Sequence, residues 1–256
     1  MRYPRLGRSV WPTSRAYRDR VGLVRRYEVT PDTVALWQFD GDLTDSGPNG
    51  LHLSGAEAHY VQLSPELRGL RLCPDLSSGS GSMQVTIQPE DGAGDLGLLG
   101  DVTLDMLLLR TAFYGYTNPP TIAAFGDAEL SYSAKCPWLF ASTSYVTAFG
   151  HGHGVTAEKT VSTNTIIDRG GLMSIKCTRD ATARTIQIYC NGRKIADGSY
   201  TTDPDRNDLQ RFYLGGSTSP LACLCSVRVE GAHHDFDRAL ADYHHTLGQY
   251  YGEPLP

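Results

Sequence analysis

The chain has 256 residues, of which 27 are glycine and 14 are proline, and a formal net charge of −5. This length fits one large all-β domain or two small domains, and the raised glycine content is typical of short strands joined by tight turns. No apolar run approaches the roughly 18 residues of a membrane span, and the arginine-rich start lacks the apolar core of about 7–15 residues of a secretory signal. We therefore expect no membrane partner and synthesis in the cytoplasm without a signal peptide.

The N-terminal segment differs from the rest of the chain in charge. Residues 1–26 hold eight arginines and one aspartate, a net charge of +7, which leaves −12 on the remainder. The segment also carries aromatic residues, which a purely solvated tail seldom does. We interpret residues 1–32 as a basic extended arm that orders against another protein, with rings in pockets and guanidinium groups on carboxylates. The candidate partner-binding residues are Arg2, Arg5, Arg8, Trp11, Arg15, Tyr17 and Arg18.

The composition of the arm has two other interpretations. A basic tail without any fixed partner is the alternative to docking. Nucleic acid is not expected as a partner, because phosphate would repel a domain as acidic as residues 33–256.

From Thr33 onward the pattern predicts mainly strands. Trp37 and Phe39 are two residues apart, so their rings share one face of the first strand, and turn-forming residues fill positions 40–50. Residues 106–109 form an apolar run that indicates burial on both faces of a later strand. Residues 172–178 and 185–190 are predicted to form a hairpin, and Asn191-Gly192 is a strong signal for a second tight turn.

A short C-terminal helix follows the last strand, which is predicted over residues 221–229. Asp235 is its expected N-cap. One apolar face recurs at three- and four-residue steps and is formed by Phe236, Leu240, Tyr243, Leu247 and Tyr250.

The order of these segments carries a family resemblance. Residues 37–50, 102–108, 173–177, 186–192 and 212–217 follow one another as in the laminin-G-like, concanavalin-A-like jelly-roll family, of the type found in phage virion proteins. The resemblance covers Thr33 to about Gly248 and implies an all-β, antiparallel two-sheet jelly-roll sandwich over residues 33–256. It also implies that Asp45 and Asn49 brace the corner after the first strand through hydrogen bonds to backbone.

Calcium binds many laminin-G-like domains, and Asp40, Asp42 and Asp45 offer oxygen ligands at close spacing. Their spacing departs from that of an EF-hand loop, so bracing the corner is the favoured role. No other cofactor is expected.

Four of the six cysteines divide into two groups, and the remaining pair, Cys223-Leu-Cys225, has a spacing seldom used for zinc. Cys177 and Cys190 alternate with apolar residues, which favours buried free thiols, and a hairpin centred near residues 181–182 would place Cys177 opposite residue 186. Cys73 and Cys136 each precede a proline at a predicted strand end, where a disulfide within or between chains is feasible.

No catalytic pattern is present. Jelly-roll glucanases carry a Glu-x-Asp-x-Glu strand, which this sequence lacks, and Asp127-Ala-Glu129 has no third carboxylate at residue 125 or 131. The chain is therefore predicted not to be an enzyme, and no hydrolysis of polysaccharides is expected.

Two functional hypotheses remain. The first is a structural or interaction protein, such as a phage capsid, collar or tail decoration protein that docks by its basic arm. Its partners would be other structural proteins of a larger assembly, including further copies of itself, and its location a virion or other extracellular assembly. The alternative is a carbohydrate-binding module or adhesin for surface glycans, with stacking aromatics from the set Tyr114, Tyr116, Trp138 and Tyr145.

Overall fold

The computed structural model describes residues 19, 21–55, 58–71, 83–86, 100–112, 121–125, 138–141, 147–153, 156–163, 171–201, 211–214 and 221–252. Within these residues the chain forms two antiparallel β-sheets. Sheet A contains β1 (Thr33–Trp37), β3 (Tyr60–Gln62), β4 (Arg68–Arg71), β6 (Val102–Ala112), β11 (Leu172–Asp180), β12 (Thr185–Cys190), β13 (Arg193–Ser199) and β15 (Leu221–Glu230). Sheet B contains β2 (Ser54–Gly55), β5 (Met83–Thr86), β7 (Thr121–Phe125), β8 (Trp138–Ala141), β9 (Thr147–His153), β10 (Thr156–Thr163) and β14 (Arg211–Leu214).

The two sheets pack face to face around the main core. Sheet A has the order β13, β12, β11, β6, β15, β4, β3, with β1 also paired to β15, and sheet B has the order β10, β9, β8, β7, β14, β5, β2. Alternate residues of the central strands, such as Leu104, Met106 and Ile175, are buried in this core. Trp37 stacks on Phe212 of sheet B with ring centroids 5.1 Å apart. The all-β sandwich predicted from the sequence is confirmed.

A second apolar cluster covers the opposite, outer face of sheet A. It joins Leu107 and Leu109 of β6 to Tyr243 and Leu247 near the C-terminus. Because Met106 to Leu109 are all buried, the prediction that this strand is buried on both faces is confirmed.

The element that covers this face is the C-terminal helix, which we define as residues 236–251. It consists of α1 (Phe236–Tyr243), a π-helical turn (His244–Gly248) and α2 (Gln249–Tyr251). Asp235 is the N-cap, and its side chain accepts a hydrogen bond from the backbone N–H of Arg238 at 3.0 Å. Phe236 does not join the apolar face and is 48% exposed. A long side chain on a helix points toward the N-terminus, so the first helical residue extends past the start of the helix.

The hairpin between β11 and β12 differs from its predicted register. Residues 181–184 form the turn, so Cys177 pairs with Ile188 rather than with residue 186. The predicted centre was one residue too early, which shifts every pair by two. The second turn is as predicted, because Asn191 and Gly192 both have positive φ and connect β12 directly to β13.

Residues 21–32 pack on the domain, and we term them the N-terminal strap. Val21 and Tyr27 are buried in the second apolar cluster, and the N–H of Arg25 donates to the carbonyl of Thr246 at 3.0 Å. Here the structure differs from the arm predicted over residues 1–32, because these side chains fill the outer face of sheet A rather than projecting from it. No helix within the described ranges is long and apolar enough to cross a membrane.

Candidate functional site

The corner after β1 is held by one aspartate. Asp45 Oδ1 accepts hydrogen bonds from the N–H groups of Leu36 and Gly47, both at 2.7 Å, and its Oδ2 accepts one from the N–H of Leu51 at 2.8 Å. Asn49 donates its side-chain amide to a carbonyl of β1 at 2.8 Å. Both side chains therefore brace the corner by bonding to backbone, as in the Asx-type turns that the sequence indicates.

The other two calcium candidates face different partners. Asp40 is exposed and forms an ion pair with Arg26 of the strap, with 2.5 Å between Oδ1 and Nη2. Asp42 accepts a hydrogen bond from the N–H of Thr44 at 3.0 Å. The three carboxylates are thus directed at separate groups of the chain.

A set of charged side chains is buried between sheet A, the strap and the C-terminal helix, and we term it the ionic network. Its centre is a row of register partners on three adjacent strands, in which Asp105 of β6 lies between Lys176 of β11 and Arg228 of β15. Because Leu104 and Met106 point into the main core, Asp105 points to the opposite face of the sheet. The complete network is Asp105, Lys176, Arg228, Glu230, His234 and Asp242, and all six residues are buried.

Asp105 contacts both cations. Its Oδ1 lies 2.6 Å from Lys176 Nζ, and its Oδ2 accepts from Nη2 and Nε of Arg228 at 2.8 and 3.0 Å. Asp242 of α1 contacts the same two cations from the C-terminal helix, because its Oδ2 lies 2.7 Å from Lys176 Nζ and 2.9 Å from Arg228 Nη2. The C-terminal helix is therefore attached to the sheet by charge as well as by apolar contact.

His234 and Glu230 extend the network toward the strap. Lys176 Nζ is 2.7 Å from His234 Nδ1, and an ammonium group can only donate, so Nδ1 must accept. The ring proton then lies on Nε2, which is 3.2 Å from Glu230 Oε2. Glu230 in turn accepts a hydrogen bond from the hydroxyl of Thr30 in the strap.

The charges of the network shift the pKa values of its acids in opposite directions. Burial alone raises the pKa of Asp105, but the adjacent Lys176 and Arg228 outweigh it, so the net pKa lies below the ordinary value. The pKa of Asp242 is lowered in the same way, because the charges of Lys176 and Arg228 outweigh its burial. The pKa of Glu230 is raised, because burial and the charge of Asp105 outweigh the attraction of Arg228.

The strap completes the enclosure of the network. Tyr27 is fully buried, its hydroxyl lies 2.8 Å from Ser174 Oγ, and the guanidinium of Arg228 lies 4.9 Å from the centre of its ring. Arg228 also donates to the carbonyl of Glu28 at 3.1 Å. A substrate from solution therefore has no direct path to these charged groups, which argues against hydrolysis at this position.

A metal ion does not fit the network as it stands. Asp105, Glu230, His234 and Asp242 present ligand-type atoms within 4.8 Å of one another. The ammonium of Lys176 already lies against three of these side chains, and the guanidinium of Arg228 against the three carboxylates. The two side-chain cations thus neutralise the charge that a metal would otherwise balance.

Sequence reasoning missed this network. Asp105, Lys176 and Arg228 alternate with apolar residues, a pattern that normally indicates a solvent-exposed outer face. His234, which follows the last strand in a short connection, is buried as well. Two features of the sequence could have indicated that the outer face of sheet A is covered. Leu107, two positions after Asp105, is an apolar residue on that face, and the amphipathic C-terminal helix requires an apolar surface to pack on.

Most of the predicted binding residues lie outside the described residues. These are Arg2, Arg5, Arg8, Trp11, Arg15, Tyr17, Arg18, Tyr114, Tyr116, Tyr145, Cys73 and Cys136, as well as Asp127 and Glu129. Trp138 is the first residue of β8, and its backbone pairs with Ala124 and Gly150.

The register of sheet B nevertheless shows where the connections between its strands attach. Thr121, the first residue of β7, pairs with Phe140 near the end of β8, and Ala141 pairs with Thr147, the first residue of β9. The connections that contain Tyr114, Tyr116 and Tyr145 therefore join the sheet at one end. Trp138 begins β8 at the opposite end, about 10 Å away along the strand.

The described cysteines are free thiols, and Cys177, Cys223 and Cys225 are buried. Burial raises the pKa of the Cys177 thiol well above its ordinary value and that of Cys190 to about 11. The prediction that Cys177 and Cys190 are free is confirmed, and Cys177 lies in the main core as expected. Cys190, at the end of β12, is only half-buried, so its predicted burial is wrong.

Comparisons with known proteins identify the fold. No known protein family matches the sequence, and no curated protein sequence matches it either. The structure resembles the binding domain of botulinum neurotoxin serotype D at 7% identity with a TM-score of 0.64, over 83% of this chain and 51% of that one.

Two related structures show the same similarity. The binding domain of botulinum neurotoxin DC, in one structure in complex with rat synaptotagmin II and in another with SialylT, matches in each case at 10% identity with a TM-score of 0.63. Each match covers 83% of this chain and 51% of the other chain, so this protein spans about half the length of these neighbours. At such low identity the similarity establishes a shared β-sandwich fold.

Proposed function

We propose that this protein is a non-catalytic recognition domain that binds a glycan. The observation that carries the proposal is the shared fold with receptor-binding domains, one of which is described in complex with SialylT. This similarity favours the glycan-binding alternative over the virion decoration protein expected from the sequence. The enclosed ionic network is consistent with a role without turnover, since its acids are directed at cations of the same chain.

The binding site that we propose is at the end of sheet B where β7 and β9 begin. The connections at this end contain Tyr114, Tyr116 and Tyr145. A tyrosine ring offers an apolar face for stacking and a hydroxyl for hydrogen bonding, which suits a sugar ring. Trp138 starts β8 at the opposite end and is not part of the proposed site.

Binding to an array of sialylated and neutral oligosaccharides, followed by titration calorimetry, tests this proposal. Tyr116→Ala and Tyr145→Ala should each weaken binding by about tenfold, which corresponds to about 1.4 kcal/mol. Trp138→Phe is the control and should leave affinity unchanged. If no oligosaccharide binds, or if the tyrosine variants bind as tightly as the wild type, the proposed site is wrong.

A second candidate function is docking to an acidic partner protein through the basic N-terminal residues. The observation that favours it is the net charge of +7 in residues 1–26 next to a strap that is fixed on the domain. Removing residues 1–18 should abolish such docking without affecting glycan binding. Co-sedimentation of both forms with a candidate acidic partner distinguishes the two functions, because only docking depends on the deleted residues.

A further inference from the structure

The environment of Lys176 Nζ is unusual for a simple ion pair. Three acceptors surround it, namely Asp105 Oδ1 at 2.6 Å, Asp242 Oδ2 at 2.7 Å and His234 Nδ1 at 2.7 Å. The contacts with Asp242 and His234 have hydrogen-bond geometry. Within the described part of the chain, Asp105 Oδ1 has no partner in hydrogen-bond geometry, although the ammonium is closest to it. The nitrogen is therefore held against this carboxyl group without a normal hydrogen bond to that oxygen.

The other oxygen of Asp105 is held by two donors. Arg228 directs Nη2 and Nε at Oδ2, at 2.8 and 3.0 Å. Two N–H groups on one carboxyl oxygen form the arrangement that stabilises a developing oxyanion when a nucleophile attacks the carboxyl carbon. The carboxyl group of Asp105 thus has a nitrogen at one oxygen and an oxyanion-stabilising group at the other.

A base is also in place. His234 Nδ1 accepts from Lys176, so it can take a proton from the nitrogen during bond formation. Glu230 lies 3.2 Å from the opposite ring nitrogen and orients the imidazole. Glu230 does not contact Lys176 or Asp105 in any pair that the described residues make, so its role is positioning.

We propose that Lys176 and Asp105 condense to form an intramolecular amide, an isopeptide bond that crosslinks β11 to β6. Both residues are fixed opposite each other in the register of adjacent strands. Fixed contact between well-oriented reacting groups gives effective concentrations of up to about 10⁵–10⁸ M. Both side chains are buried, so water is largely excluded from the reacting atoms.

The reaction needs no reagent beyond the chain itself. Lys176 first transfers one proton to Asp105 Oδ1, which gives a neutral amine and a neutral carboxylic acid. The nitrogen lone pair then forms a bond to Cγ, and the electrons of the C=O bond move onto Oδ2, where Arg228 stabilises them. The nitrogen loses its second proton to His234, which returns it to the Oδ1 hydroxyl; that group leaves as water and the C=O bond reforms at Oδ2.

The ion pair competes with this reaction. Lys176 and Arg228 favour the ionised form of Asp105, so the neutral acid is a minor species at any moment. The condensation has to occur only once in each molecule, and it replaces two buried charges by one neutral group. Removing charges from a buried site relieves the cost of their desolvation.

The mass of the intact wild-type protein tests the proposal directly. Condensation lowers the mass by about 18 Da, because one water is lost when the carboxyl group of Asp105 acylates the amine of Lys176. Trypsin should release a crosslinked pair made of residues 72–110 and 170–179, with no cleavage after Lys176. Lys194 forms an exposed pair with Asp197 at 2.8 Å and serves as the internal control, because trypsin should cleave after it normally.

Each outcome decides the proposal. A full sequence mass overturns it, as does a mass loss without the crosslinked peptides. A crosslink between residues 170–179 and 239–256 overturns the assignment to Asp105, because the second peptide contains Asp242. The crosslink between residues 72–110 and 170–179 confirms it.

Two variants test the roles of the groups. Lys176→Arg keeps the positive charge but has no nucleophilic amine, so this variant should retain the full mass. His234→Gln keeps one donor and one acceptor but cannot take up a proton, so the amide should form roughly 100-fold more slowly. If His234→Gln forms the amide at the wild-type rate in cells sampled soon after induction, His234 is not the base.

Discussion

Substitution of Tyr27 tests whether the N-terminal strap contributes to the stability of the folded domain. Tyr27→Ala removes a fully buried ring, and large-to-small changes of an aromatic residue in a core cost about 3–5 kcal/mol. Tyr27→Phe keeps the ring but leaves the buried Oγ of Ser174 without its partner at 2.8 Å, which should cost about 1–2 kcal/mol. The aromatic contact with Arg228 is kept in this second variant.

Urea unfolding followed by circular dichroism measures these changes. The double variant Tyr27→Phe with Ser174→Ala should be more stable than the sum of the single changes predicts, by about 1 kcal/mol, because the second substitution removes the unsatisfied group. Leu23→Ala is the control, since this strap residue is 46% exposed and should change stability by less than about 0.5 kcal/mol. If Tyr27→Ala unfolds at the wild-type urea concentration, the strap is not part of the folded unit.

Three further predictions concern pH, thiols and the arm. The pKa of Glu230 is raised in the folded state, so its contribution to folding is present below the ordinary value of 4.5 and is lost as pH rises through the folded-state value. The stability of Glu230→Gln relative to the wild type should therefore be higher at about pH 8 than at about pH 4.5. An equal difference at both pH values contradicts this. Cys177 should resist a thiol reagent in the native state while Cys190, at the end of β12, reacts first, and rapid native labelling of Cys177 contradicts its burial. Deleting residues 1–18 should leave the melting temperature within about 2 °C of the wild-type value, whereas deletion through Val21 should lower it. An equal decrease in melting temperature for both deletions would place residues 1–18 in the folded core.

Much of the sandwich could be predicted from local patterns. The Asn191-Gly192 turn depends on neighbouring residues, so the sequence reports it directly. Trp37 and Phe39 are both buried in the main core, but β1 ends at Trp37 and Phe39 has a positive φ, so the shared strand face predicted from their spacing is wrong. The predicted register of the β11–β12 hairpin was wrong, because the observed four-residue turn and a turn centred one residue earlier have similar compositions. Only the pairing of Cys177 with Ile188 distinguishes them.

The ionic network could not be predicted in the same way. Asp105, Lys176 and Arg228 come from three strands that are distant in sequence, and each looks like a solvent-facing residue within its own strand. Their burial depends on the strap and the C-terminal helix, which cover the sheet from opposite ends of the chain. The position of Tyr27 could have suggested this cover, since an aromatic residue next to a predicted sandwich often packs on it.

The strap and the C-terminal helix lie on the same face of the sandwich, and this has a practical consequence for handling the molecule. The strap and the described end of the C-terminal helix at Gly252 both lie on the side that sheet A faces. Attachment through an exposed residue of either element should therefore present sheet B outward. Surface-based binding measurements can be repeated with attachment at each of these two elements, so that a response which persists in both cases reports on the domain rather than on its tether.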